Sequence, residues 1–275
     1  MNGLRFGTLA AGPAQGELVL LLHGFPQFAD CWSEVAQALG QAGFHAVAVS
    51  QRGYSPGARP ANVADYDLAH LASDVLGFAE ALDASRFHLV GHDWGAVLAW
   101  MVAGTWPERV LSLTALSVPH PDAFFKAART DPDQMWKSKY IALFKMPGHL
   151  AETLLFTADA RVLRGVYQGI VPKAQVEANV RRLKESGALT AALNWYRALS
   201  LHPQKTGRIR VPTLYVWGEA DVALGETAAL ATAGFVEAPY TFERVVGGSH
   251  WLLEEQPERM AALILGHVRV NAAGM

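Results

Sequence analysis

One stretch constrains the fold of this chain more than any other: Phe87-His88-Leu89-Val90-Gly91-His92-Asp93-Trp94-Gly95-Ala96-Val97-Leu98-Ala99-Trp100. Its first half reads as a short apolar strand and its second as a helix of small residues, with only a very tight turn between them. Gly91 and Gly95 stand two residues before and two residues after Asp93. The central residue of such a turn is held in strained backbone. A side chain at either glycine would collide with the neighbouring strand or helix. The spacing is that of a nucleophile elbow, with aspartate in the usual place of serine. This turn lifts the Asp93 carboxylate above the end of a sheet and points the Trp94 backbone N–H towards it.

The rest of the chain supplies a sheet for that turn to sit on. Residues 3–10 read as an edge strand ending at Gly12-Pro13. Glu17 to Leu22 is a nearly continuous apolar run, as expected of a strand buried on both faces. It stops at His23-Gly24-Phe25-Pro26-Gln27, after which Asp30 reads as the N-cap of a helix through Trp32, Val35 and Leu39. Phe44 to Val49 is the next strand. Leu68, Leu71, Val75, Phe78 and Leu82 then step by three and four, the pattern of an amphipathic helix. Val110 to Val118 is a further strand. From about 122 to 206 there are helical segments but no buried strand, and Val211 to Trp217 and Tyr240 to Val246 restore the strand pattern. This alternation predicts an α/β fold, a mostly parallel, doubly wound sheet covered on both faces and carrying an inserted helical cap. We expect a core of residues 1–120 and 207–275 and a cap of residues 121–206.

Composition narrows the function. The chain has 275 residues, 51% of them hydrophobic, enough for one large core. A net charge of −2 with no basic block gives no indication of nucleic acid or anionic membrane as partner. The single Cys31 rules out an internal disulfide and fits a reducing, cytoplasmic compartment. The N-terminus lacks the charged start and apolar run of a signal peptide, and no apolar run reaches the length of a membrane span. A homo-oligomer is compatible with the sequence but nothing in it demands one.

Three residues fall at the C-terminal ends of expected strands: Asp93, then Asp221 after Leu214-Tyr215-Val216-Trp217-Gly218-Glu219-Ala220, then His250 after Val245-Val246-Gly247-Gly248-Ser249. Nucleophile, acid, histidine is the chain order of the α/β-hydrolase triad, and strand ends are where open α/β sheets build their sites. Glu219 stands close enough to Asp221 to be the alternative acid. The Phe25 N–H, on the loop after the second strand, joins the Trp94 N–H as a two-donor oxyanion hole. His23 reads as a structural residue of that loop. His88 and His92 lack further ligands at metal spacing and read as core or turn residues, so neither a metal nor a cofactor is implied. His120, between two prolines, reads as ordering the cap junction.

The identity of the nucleophile selects the reaction class. A serine attacking saturated carbon would make an ether, which an activated water could not hydrolyse. An aspartate makes an alkyl ester, whose carbonyl water can attack once a histidine has drawn its proton. Asp93 therefore points to displacement at carbon, opening an epoxide or expelling a halide. A non-catalytic ligand-binding protein is the bland alternative, against which stand Asp221 and His250. Epoxide opening needs an acid for the ring oxygen, whereas a halide needs only a cradle of N–H donors. Tyr140 and Tyr196 are neutral donors available in the cap, although composition alone leaves both as ordinary amphipathic residues.

Taken together, these motifs resemble the α/β-hydrolase-fold epoxide hydrolases over nearly the whole chain. His23-Gly24-Phe25-Pro26 resembles the family's H-G-x-P motif, Gly91-His92-Asp93-Trp94-Gly95 its nucleophile motif, and Arg52-Gly53-Tyr54-Ser55, less closely, its R-G-Y-G-x-S loop. The resemblance implies that Tyr140, upstream of Pro147-Gly148, and Tyr196, in Asn194-Trp195-Tyr196-Arg197, are the two ring-opening tyrosines. Haloalkane and haloacetate dehalogenases share the aspartate elbow. Haloalkane dehalogenases often carry asparagine where this chain has Phe25, and haloacetate dehalogenases typically carry arginine where it has Trp94. Trp94 also resembles a halide-binding tryptophan, with Trp136 or Trp195 as a second. The expectation is a cofactor-free enzyme converting a small apolar epoxide and water to a vicinal diol. Asp93 is the nucleophile, His250 the base, Asp221 its orienting acid, and Phe25, Trp94, Trp136, Phe144 and Trp195 line the substrate pocket.

Overall fold

The computed structural model describes residues 2–199 and 206–273. In chain order they form β1 (Gly7–Ala11), β2 (Leu18–Leu22), α1 (Ser33–Gln41), β3 (His45–Ser50), α2 (Leu68–Ala81), β4 (Phe87–His92), α3 (Trp94–Thr105) and β5 (Val110–Leu116). Six helices follow without a strand among the described residues: α4 (Pro121–Thr130), α5 (Pro132–Lys137), α6 (Lys139–Phe144), α7 (Leu150–Gly165), α8 (Lys173–Leu183) and α9 (Ala188–Ala198). The chain then completes the sheet with β6 (Thr213–Gly218), α10 (Glu226–Ala231), β7 (Tyr240–Val245), α11 (Leu252–Glu255) and α12 (Pro257–Val270).

The strands make one seven-stranded sheet in the order β1-β3-β2-β4-β5-β6-β7. The edge strand β1 is antiparallel to β3, and every other pairing is parallel. Alternation along β2 shows why its sequence is apolar throughout. Leu18, Leu20 and Leu22 pack into one core with α2 and α3, while Val19 and Leu21 pack into a second with α1 and α12. A strand covered on both faces has no polar side. α2 starts at Asp67, whose carboxylate accepts the His70 N–H.

One helix start departs from its expected form. Asp30 is not an N-cap. A short 3₁₀ turn over Ala29–Trp32 precedes α1, Phe28 stands at its cap position, and the Asp30 carboxylate instead takes both terminal nitrogens of Arg182 from α8, at 2.7 and 2.8 Å. A bidentate guanidinium outcompetes a single backbone N–H for that carboxylate. The other expected elements occur within a few residues of their expected limits.

The elbow shows why its glycines are needed. A Cβ on Gly91 would lie 2.2 Å from the Gly95 carbonyl oxygen, and one on Gly95 would lie 2.0 Å from that of Leu22. β4 therefore runs into α3 with backbone against backbone. Asp93 takes up the turn at φ 52°, ψ −123°, a conformation that costs a non-glycine residue about 1–3 kcal/mol.

Candidate active site

Asp93 is buried at the turn between β4 and α3, on the side of the sheet where β2, β4, β6 and β7 end. Its Oδ1 accepts the Phe25 N–H at 2.7 Å, and its carboxylate is also hydrogen-bonded by the Trp94 backbone N–H. The Phe25–Pro26 peptide bond in the loop carrying Phe25 is cis. His23 keeps that loop in place, donating from Nδ1 to Gly24 O and accepting the Gln51 N–H at Nε2. Burial pushes the His23 pKa to about 4, so it stays neutral in that role.

The second carboxylate oxygen, Oδ2, lies 3.5 Å from His250 Nε2. On the far side of the ring, His250 Nδ1 donates to Asp221 Oδ2 at 2.8 Å. Asp221 is itself fixed, its Oδ1 accepting the N–H groups of Ala223 and Leu224 at 2.7 and 3.0 Å. Glu219 is engaged elsewhere: it pairs with Arg244 and accepts the Gly247 N–H at 3.2 Å. Of the two acids, it is Asp221 that the fold brings to the histidine.

Electrostatics tie the three groups together. Burial pushes the His250 imidazole towards neutrality, but the Asp221 and Asp93 carboxylates outweigh it and raise its pKa to about 10. Burial likewise opposes charge on Asp93, and the adjoining imidazoles of His250 and His92 with the Trp94 N–H hold its carboxyl below the usual carboxylate range. The two flanking carboxylates thus favour the protonated imidazole.

The helical segment closes over this group. Tyr196, from α9, is buried, and Tyr140, from α6, is partly exposed. Their rings lie 6.3 Å apart, and Tyr196 packs edge-on to Trp94 at 5.0 Å and to Phe144 at 4.9 Å. Burial and the nearby Asp93 charge raise both phenols above their ordinary pKa, so both keep their protons at neutral pH. Two cavities meet at Asp93, Tyr140 and Tyr196. One, of about 760 Å³ including its mouth, runs under Leu68, Met101, Phe124 and Ile141 and touches Trp94. The other, of about 660 Å³, runs past Phe25, Phe144 and Val166 to His250 and Trp251.

Two expected pocket residues are not in the pocket. Trp136 projects into solvent, 69% exposed, with the Lys139 ammonium over its ring. Trp195 is buried, but its indole N–H is spent on the Arg52 carbonyl at 2.9 Å, where it ties α9 to the core. α9 turns Tyr196 into the cavity, and the adjacent residue then faces away from it. Other residues behind the site carry no sequence signal. Gln27, Ser117 and Glu254 are ordinary polar residues in the sequence, and only the fold gathers them behind His250. His88 donates to or accepts from Ser112 and Glu17, and His120 caps α4 and donates to Gly207 O.

A buried acid at a strand–helix elbow, a histidine and a second acid following in chain order, and a helical cover bearing two phenols define the class. The chain belongs to the α/β-hydrolase fold family, whose sequence profile matches residues 17–257. Relatives named epoxide hydrolase match it almost end to end. Epoxide hydrolase 3 of Xenopus tropicalis is 34% identical over 274 residues, covering 96% of this chain and 74% of that protein. Epoxide hydrolase A of Mycobacterium tuberculosis is 32% identical over 307 residues, covering 96% and 94%. A crystal structure of the Bacillus megaterium epoxide hydrolase in complex with an inhibitor superposes with a TM-score of 0.88 at 27% identity, covering 98% of each chain. No helix among the described residues is long and apolar enough to cross a membrane.

Proposed function

We propose that this chain is an epoxide hydrolase that takes a small apolar epoxide and water to a vicinal diol through an ester on Asp93. Residues 121–206 act as its cap domain, residues 200–205 of which lie outside the described residues. The observation that carries the reading is the meeting of two apolar cavities at one carboxylate and two phenols. A ring carbon at that junction would face Asp93 Oδ2 while the ring oxygen faces Tyr140 and Tyr196.

In the first half-reaction Oδ2 attacks carbon, the C–O bond of the ring breaks, and the phenols stabilise and protonate the leaving oxygen. Oδ1, already held by the Phe25 N–H, becomes the ester carbonyl oxygen, with the Trp94 N–H beside the same carboxyl group. Esterification also removes the Asp93 charge. One of the two charges that keep His250 protonated is then gone, and the imidazole, its proton passing to the phenolate left by ring opening, becomes a base. In the second half-reaction neutral His250, held by Asp221, draws a proton from water, and the water oxygen attacks the ester carbonyl. The oxyanion forms on Oδ1 in the N–H pair. Collapse releases the diol and returns the carboxylate and imidazolium.

The lone Cys31 is buried and reduced, in keeping with action in the cytoplasm. The test is one incubation series with purified protein on terminal and aryl epoxides, bromoalkanes and haloacetates, with diol and free halide assayed in parallel. Diol without halide is expected. Halide without diol would move the function to dehalogenation. Neither product, with a small molecule retained unchanged, would favour a binding protein.

A further inference from the structure

Behind His250 lies a chain of polar side chains that the mechanism above leaves unused. His92, on β4, reaches the His250 carbonyl oxygen with Nε2 at 2.8 Å, and the Ser117 hydroxyl donates to the same oxygen at 3.0 Å. His92 Nδ1 faces Gln27 Oε1 at 3.2 Å, and Gln27 Nε2 contacts Glu254 Oε1, which also accepts from Gln175 Nε2 at 3.1 Å. Gln27 and His92 are fully buried. Glu254 Oε2 is buried too and has no hydrogen-bond partner among the described residues.

For a neutral His92, hydrogen-bond valence places the protons. A backbone carbonyl can only accept, so His92 donates from Nε2, and a neutral His92 must then accept at Nδ1. Gln27 can serve it only with its amide N–H. That arrangement requires the Gln27 amide to be turned by half a rotation from the orientation in the structure, a change that leaves the shape of the side chain the same. The Gln27 carbonyl then faces Glu254, where two acceptors meet unless the acid carries a proton. An unpartnered, buried Oε2 is consistent with this, because a neutral acid tolerates it far better than a carboxylate does.

We propose that Glu254 is a positioning residue for His250. As a neutral acid it donates to the Gln27 carbonyl, which turns the Gln27 amide N–H to His92 Nδ1, which fixes His92 as the Nε2–H tautomer that anchors the His250 main chain. This rests on the epoxide hydrolase reading, since it is in ester hydrolysis that His250 must be held as a base. Ionising Glu254 reverses the chain. The carboxylate demands the Gln27 N–H, His92 is left facing a carbonyl, and its proton moves to Nδ1 at the expense of the bond to His250.

Burial supports the neutral states at both ends. It raises the Glu254 pKa to about 7, against the hydrogen bonds from its own backbone N–H, Gln175 and Gln27 and the charge on His250, and it lowers that of His92 to about 4. The other groups facing Glu254 hold their protons near neutrality: burial raises the Cys31 thiol and the Tyr167 phenol. Asp30 is paired with Arg182 and Glu177 with Arg164. Lys173, Glu255, Glu258 and Arg259 are solvent-exposed.

The experiment measures esterification and ester hydrolysis separately by rapid-quench mass spectrometry, in the parent, Glu254→Gln and Glu254→Leu, across pH 6–9. Hydrolysis in the parent should fall as pH rises through the Glu254 pKa. Glu254→Gln, which keeps a donor and cannot ionise, should hold the neutral-pH hydrolysis rate and lose that fall. Glu254→Leu should slow hydrolysis about tenfold, the loss of one hydrogen bond, and leave esterification unchanged. Equal slowing of both steps in Glu254→Leu, or the same alkaline fall in Glu254→Gln, would overturn the proposal. The ¹⁵N shifts of His92 in the resting protein decide it independently of turnover. A bare Nδ1 and protonated Nε2 are expected at pH 6, and a proton on Nδ1 would overturn the relay. Absence of any ester in the parent would instead strike at the epoxide hydrolase reading, leaving the His92 tautomer to decide the relay.

Discussion

Replacing both cap tyrosines, Tyr140→Phe with Tyr196→Phe, should stop the first half-reaction and spare the second. Each phenol is one hydrogen-bond donor aimed at an oxygen that gains charge only as the ring opens. Removing one such donor from a desolvated site costs roughly 10²–10³ in rate. The two positions are unequal. Tyr196 is 4% exposed, so nothing replaces its donor when it is lost. Tyr140 is partly exposed at the junction of the two cavities, where water can stand in for it. We therefore expect Tyr196→Phe to lose roughly 10²–10³ in esterification rate, Tyr140→Phe less, and the double variant more than Tyr196→Phe alone. The phenylalanine rings keep the contacts to Trp94 and Phe144, so thermal stability should change by no more than about 1–2 kcal/mol. The assay is single-turnover rapid quench, following the substrate-derived mass on the Asp93 peptide. A folded double variant that esterifies within tenfold of the parent would refute the argument that the phenols activate the oxygen. So would a variant that accumulates ester, because the lost donors would then be serving hydrolysis.

Two further substitutions separate the remaining roles. His250→Gln should esterify and stall, leaving a stable adduct equal to the substrate mass on Asp93; epoxide binding without that adduct would sink the covalent route. Asp221→Asn should reduce turnover by roughly 10³–10⁴, since an amide in place of a carboxylate removes the charge on the Nδ1 side and lets the imidazole settle in the wrong tautomer. In the same variant the His250 pKa should fall from its raised value, read by NMR titration, and an unchanged value would mean that Asp93 alone sustains the imidazolium.

The core was legible in the sequence because it is built of repeated local rules. β2 is apolar at every position because it is covered twice, and Gly91 and Gly95 are glycines because a backbone carbonyl lies where each Cβ would be. The strand-end positions of Asp93, Asp221 and His250 follow from the same periodicity. What failed to show depends on contacts between distant segments. Asp30 has the local form of an N-cap, and only the approach of Arg182, 152 residues later, gives it another partner. Trp195 lies on α9, which faces the cavity through Tyr196, but a helix rotates by about 100° per residue, so neighbours in sequence look in different directions; Trp136 lies on α5, no residue of which lines either cavity. Gln27 and Glu254 could not be found at all, because a polar residue announces its burial only through the partners that fold against it.

The division of the chain matches the division of the chemistry. Hydrolysis draws on the sheet: Asp93, His250, Asp221 and the Phe25 and Trp94 N–H groups all sit on its strand ends. Ring opening, in the mechanism proposed, draws on Asp93 and on the cap, which contributes both phenols. In that mechanism the phenols of the cap must be in register with Asp93 for the ester to form on it. That register is held by contacts at the loops that also build the oxyanion hole. The Tyr167 hydroxyl donates to Pro26 O at 2.7 Å, next to Phe25, the Trp195 indole donates to Arg52 O at 2.9 Å, and Arg182 grips Asp30. Movement of the cap therefore pulls on the loop that presents the Phe25 N–H. Placement of the phenols and of the oxyanion donor is mechanically one variable, which explains why so many buried polar groups of the cap are spent on the core main chain rather than on substrate.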